Sequence, residues 1–129
     1  MLFSRRTRIM ASALLLLIPA KAALAADPKA CSSSPDERAI EKCLRALDAV
    51  GLDEIQKFGV KIKQQAEKKS FSAPFDVAHR AWLAFRDADC KAKTFESYGG
   101  SGYNSIFATC LIEMNNIRVE DLKGRADSP

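Results

Sequence analysis

The stretch Ala78-His79-Arg80-Ala81-Trp82-Leu83-Ala84-Phe85-Arg86-Asp87-Ala88-Asp89-Cys90 holds the only tryptophan and the only histidine of the chain. It reads as one amphipathic helix that ends in a cysteine. Phe75, Ala78, Trp82 and Phe85 recur at three and four residues, the spacing that puts side chains on one helix face. Arg80, Asp87 and Lys91 fall elsewhere and are expected in water. Large aromatics on one face remove much apolar area from water, so this helix is expected at the centre of a small core.

Upstream, Ser34-Pro35-Asp36-Glu37 opens an earlier helix, with Ser34 as N-cap, Pro35 in the first helical position and Glu37 completing a capping box. Ile40, Leu44, Leu47, Gly51, Ile55, Phe58 and Ile62 then repeat at helical spacing to about Lys69. Gly51 and Gly59 lie inside this helix and mark a bend or a close crossing, with a break expected near Gly51. Ser70 to Pro74 turns into the central helix, capped by Ser72 or Ala73 and running to about Thr94. Tyr98-Gly99-Gly100-Ser101-Gly102-Tyr103 cannot continue regular structure. A third helix carries Ile106, Phe107, Cys110, Leu111, Met114, Ile117 and Leu122 on one stripe. Arg118 and Lys123 suit its C-terminal half, and Gly124 ends it. No strand pattern or internal repeat is visible. The expected fold is all-α, a small disulfide-stapled bundle of three main helices.

The first 25 residues have a different character. Arg5, Arg6 and Arg8 precede an apolar run from Met10 to Ile18, and Ala23-Leu24-Ala25 is a small-x-small cleavage site. This is the pattern of a secretory signal peptide. The run is too short for a membrane span, which needs roughly 20 residues. The expected division is therefore 1–25 as signal peptide and 26–129 as a single domain, with Ala26 to Ser33 a mobile leader. Four of the 20 Lys and Arg, and none of the 16 Asp and Glu, precede the cut, so the net charge of +4 falls to zero in the mature chain. That removes the nucleic-acid reading a basic chain invites. Lys57, Lys61, Lys63, Lys68 and Lys69 read as the solvated face of a helix.

All four cysteines lie in the exported part, and an even count in a short exported chain implies disulfides. Cys90 ends one helix and Cys110 lies in the first half of the next. An antiparallel pair joined by the glycine loop brings them together, closing a loop worth about 3 kcal/mol. Cys43 stands about 12 Å along the first helix from Pro35, a distance that extended residues before the helix can span, so Cys31–Cys43 closes as a clasp. The other two connectivities remain open on sequence alone. No Cys-x-x-Cys pair exists, and a zinc site or other metal or cofactor is not expected. The compartment expected is an oxidising one, periplasmic or outside the cell, with no stable membrane insertion after cleavage.

The chain resembles the LprI-like family of small secreted bacterial proteins. The family pattern Ala-x-x-x-Trp-x-x-Phe/Tyr-Arg-Asp-x-x-Cys is met by Ala78, Trp82, Phe85, Arg86, Asp87 and Cys90. A glycine loop, a second cysteine and an Arg-x-x-x-Leu ending follow as Gly99 to Gly102, Cys110, Arg118 and Leu122. In the first half Cys31, Glu37, Ile40, Cys43 and Leu47-Asp48 are in family-like order. The family's Asp-x-x-Leu-Asn-x-x-Tyr stretch is absent: Asp48 is followed by Ala49-Val50-Gly51-Leu52-Asp53, with Gln56 and no tyrosine. The family's named member inhibits lysozyme, so the resemblance implies a protein partner, lysozyme or another muramidase, and no enzymatic activity. The other function class is an envelope stress or periplasmic immunity module that binds a different protein.

Among single residues, Trp82 reads as core and Arg86 as the partner of a carboxylate such as Glu113 across the helix interface, with Asp87 beside it. His79 reads as an exposed histidine, since no nucleophile is placed for it. Glu113, Asp87 and Asp89 have no spacing that specifies a glycosidase pair. The segment Tyr98 to Tyr103 has two readings. It is a protruding partner-binding loop with tyrosine anchors, or a plain connection with its tyrosines on the core.

Overall fold

The computed structural model describes residues 25–71 and 73–128. The segment expected to be a signal peptide falls, but for Ala25, outside the described residues, as does Ser72. Three helices carry the chain: α1 (Glu37–Glu67), α2 (Ala73–Lys93) and α3 (Tyr103–Ala126). Short 3-10 turns at Pro28–Cys31 and Phe95–Ser97 precede α1 and follow α2. No strand occurs among the described residues. None of the described helices is long and apolar enough to cross a membrane.

Helix α1 starts two residues later than expected. Asp36, not Ser34, is the N-cap, and its carboxylate accepts from the Arg38 N–H at 3.1 Å. The Ser34 hydroxyl instead accepts from the Asp36 N–H at 3.2 Å. Asp and Ser cap about equally well, so the residue adjacent to Glu37 takes the role. The helix runs unbroken through Gly51 and Gly59, and both glycines mark close crossings. A Cβ on Gly51 would stand 2.9 Å from the Asn115 Cβ, and one on Gly59 would stand 2.6 Å from the tip of the Phe75 ring. Gly124 does not end α3, which continues two residues to Ala126 with Asp127 as its cap.

The core divides in two along the α1–α3 seam. Near the amino end, Cys31, Leu44 and Ile112 form a buried cluster, with Ile40, Leu47 and Ala108 packed on it. Farther along, Ile55, Val119 and Leu122 form the second, covered by Phe58, Ile62, Phe75 and Trp82. The disulfides are Cys31–Cys43 and Cys90–Cys110, with Cα atoms 5.6 and 5.7 Å apart. The first ties the entering segment to α1, and the second ties the end of α2 to α3.

Two expectations about helix faces and one about the entering segment need correction. Helix α2 turns Phe75, His79, Trp82, Arg86 and Cys90 toward the body, while Ala78 is exposed and Phe85 is 57% exposed. In α3 the buried line is Ile112, Asn115, Val119, Leu122 and Ala126, and Ile117 is 69% exposed. The polar residues Arg86 and Asn115 belong to the core, and each helix rotates to bury them. The entering segment is no mobile leader. Ala26 packs on the first cluster, Cys31 is buried, and the Asn116 side-chain amide holds the Ala26 backbone through two hydrogen bonds. The basic stretch is a solvated face, and three of its five lysines are paired: Lys57 with Asp53 and Glu54, Lys61 with Asp127, and Lys63 with Asp76.

Candidate binding site

Between the two apolar clusters lies a polar node that all three helices build. Arg86 from α2 is 6% exposed and Asn115 from α3 is 1% exposed. The Arg86 guanidinium donates to Asn115 Oδ1 at 2.9 Å, to Asp48 Oδ1 of α1 at 3.2 Å and to Asp87 Oδ1 at 2.9 Å. Asn115 Nδ2 donates to the same Asp48 oxygen at 2.7 Å and faces the Asp48 carbonyl at 3.3 Å. A buried cation is costly unless paired and hydrogen-bonded, and here each partner satisfies the other two. The partner anticipated for Arg86 was Glu113, but Glu113 is exposed and the carboxylate that meets the guanidinium is Asp48. Gly51, one turn along α1, leaves the space that Asn115 fills.

Trp82 joins this node to the second cluster. It is half-buried rather than fully buried, and two guanidiniums lie against its ring, Arg86 at 5.8 Å and Arg118 at 5.6 Å from the centroid. Arg118 also bonds Asp121 at 3.0 Å. His79 is not the exposed residue expected. It stacks between Phe75 and Trp82, at 6.2 and 6.5 Å. Burial first, and then the Arg118 charge, hold its pKa below the usual imidazole value, against an opposing pull from Asp76. No free thiol is available to it, since all four cysteines are in disulfides. The node is therefore a device for holding three helices in register, with its charges mutually spent.

The surface with groups left to offer is at the other end of the bundle. The Tyr98 to Tyr103 loop joins α2 to α3 after the turn at Phe95–Ser97. Gly99 and Gly102 adopt φ of 81° and 84°, the left-handed region that glycine enters without strain. Gly102 begins α3 in this conformation, without a side-chain cap. Tyr98 is 79% exposed, and its ring meets Tyr103 edge-on at 5.3 Å. Tyr103 in turn stacks on Phe107 at 6.0 Å. In the loop Tyr103 is the half-buried foot and Tyr98 the projecting tip. The Cys90–Cys110 bridge and the Thr94 hydroxyl, which bonds the Cys90 carbonyl at 2.7 Å, brace its base.

Opposite the loop, the first turns of α1 present Glu37 and Glu41. Together with residues 98–104 they line an open groove of about 540 Å³. Asn104 Nδ2 donates to Glu41 Oε1 at 3.2 Å and sets the width of the groove there. Sequence reasoning did not place Glu37 and Glu41 beside the loop. Their only signal was the capping role of Glu37, which says nothing of what stands across from it.

The described residues thus form a disulfide-stapled all-helical domain with a tyrosine loop held out from one end. The chain belongs to the family described as Lysozyme inhibitor LprI, whose model matches residues 21–122. It is also similar to an uncharacterized protein of Rhizobium meliloti (strain 1021), 37% identical over 51 residues that cover 40% of this chain and 37% of that protein. The match therefore spans little more than a third of the relative's length. No solved structure matches the chain.

Proposed function

We propose that this chain is exported, loses residues 1–25, and acts in the periplasm or outside the cell as a non-catalytic inhibitor of lysozyme or a related muramidase. In this reading the Tyr98 to Tyr103 loop enters the enzyme's sugar groove. The observation that carries it is the placement of Tyr98: a large, exposed aromatic on a narrow glycine loop, braced from behind by Tyr103, Phe107 and a disulfide. A ring fixed in this way loses little freedom on binding. The α1 carboxylates Glu37 and Glu41 beside it suit a cationic enzyme locally, although a mature chain of zero net charge offers no long-range steering.

The test is lysis of a cell-wall suspension by c-type lysozyme, with and without the purified chain from Ala26 onward. Slowed lysis at modest molar excess supports the reading. Undiminished lysis at a large excess removes it for that enzyme and moves the target to another envelope protein.

A further inference from the structure

We propose that the α-ammonium group created at Ala26 by signal-peptide removal is a built part of the fold, docked in a notch between α1 and α3. This rests on the export reading above. The Ala26 N–H donates to Asn116 Oδ1 at 3.1 Å, and Asn116 Nδ2 donates to the Ala26 carbonyl at 2.8 Å. One side-chain amide therefore reads both polar groups of the residue that follows the small-x-small site. Ala25 and Ala26 lie in a notch of about 30 Å³ that Asn116 shares with Glu54 of α1 and Glu120 of α3. Such a space admits about one water, and the charged groups around it are chiefly acidic.

Hydrolysis of the Ala25–Ala26 bond adds one water. The Ala25 carbonyl carbon takes its oxygen and leaves as a carboxylate, and the Ala26 nitrogen becomes an ammonium. Before the cut that nitrogen has one proton, already given to Asn116. After it, two further donors face the space that Ala25 leaves, toward Glu54 and Glu120. Lys57, 3.0 Å from Glu54, competes for one of these carboxylates, and Glu120 has no such rival among the described residues. The docked residue is also tethered close by. Five residues after Ala26, Cys31 is bonded to Cys43, so little chain freedom is lost when Ala26 seats.

The experiment compares three folded proteins: the chain beginning at Ala26, the same chain preceded by Gly-Ser, and the Asn116→Ala variant beginning at Ala26. Each is treated at neutral pH with a limiting amine-acylating reagent, and the terminal peptide is quantified by mass spectrometry. Only the unprotonated amine reacts, so a docked ammonium should be acylated about threefold or more slowly than that of Asn116→Ala or of the Gly-Ser chain. A Glu54→Gln/Glu120→Gln variant, which leaves Asn116 in place, should regain most of the lost reactivity with unchanged helical circular dichroism. Equal rates in the native chain and these variants would overturn the proposal. The mass of the exported protein separates the two readings: a start other than Ala26 removes the cleavage assignment and this proposal with it. A start at Ala26 with an unprotected amine removes the docking alone.

Discussion

Replacing Arg86 by methionine tests the polar node, because methionine keeps the apolar stem and deletes every donor. Asn115 Oδ1 then loses its 2.9 Å donor while remaining fully buried, at about 1–3 kcal/mol. Asp48 keeps its 2.7 Å bond from Asn115 and about a fifth of its side-chain surface in water, so its share is about 1 kcal/mol. The lost contact with the Trp82 ring at 5.8 Å adds at most about 1 kcal/mol. Asp87 is exposed enough to turn to solvent and adds little. The total is about 3 kcal/mol, in line with breaking a buried pair by removing one partner. At about 4–8 °C per kcal/mol for a domain of this size, the melting temperature should fall by more than about 10 °C. Urea unfolding is the assay, with an unchanged slope required for the comparison. Arg86→Lys should not rescue, since one ammonium cannot reach three partners on three elements. A loss below about 1 kcal/mol, ordinary for surface substitutions, would refute the claim that this node registers the helices.

Two glycine substitutions should move stability in opposite directions. Gly124→Ala meets no atom within 4 Å and should gain about 0.5–1 kcal/mol by helix propensity. Gly51→Ala drives a methyl against Asn115 and should lose about 1–3 kcal/mol net in the same urea titration. His79, with its folded pKa held below the unfolded value of about 6.5, binds fewer protons folded than unfolded. It therefore contributes stability that is present above that unfolded value and lost as pH falls through the folded one. His79→Gln should flatten the decline in stability just below neutral pH, and a one-histidine NMR titration should place the midpoint below that of the urea-unfolded chain. A folded midpoint at or above the unfolded one would contradict the burial.

The helices were legible because α1 carries an uninterrupted line from Ile40 to Ile62, and because the loop of three glycines can only end α2. That arrangement favoured the observed disulfide pairing without closing the other two connectivities. What misled was which way α2 and α3 turn. In α3 apolar residues surround the axis, so the periodicity puts Ile106 and Ile117 on the core stripe and leaves out Ile112, which is the one fully buried. The residue that decides between them, Asn115, is polar and scores as surface until its partners Arg86 and Asp48 are known. In α2 the same omission favoured Phe85 over Arg86. A buried polar contact across three helices has no periodic trace in any one of them. The site followed a similar division. The tyrosine loop stood out by composition, whereas Glu37 and Glu41 come beside it only because α1 starts where α3 starts. Gly51 held the one usable clue to the node, since a glycine tolerated in mid-helix asks what presses against it.

The most direct test of the inhibitor account is lysozyme-driven cell-wall lysis measured with the wild-type chain and with Tyr98→Ala/Tyr103→Ala. Tyr98 is the exposed tip and Tyr103 its support, so removing both strips the loop of its contact area without touching either disulfide. The account predicts that the concentration needed for half-inhibition rises at least about tenfold, or about 1.4 kcal/mol, with the helical circular-dichroism spectrum unchanged. Equal inhibition by a folded double variant would contradict it and place the binding surface on a helix instead.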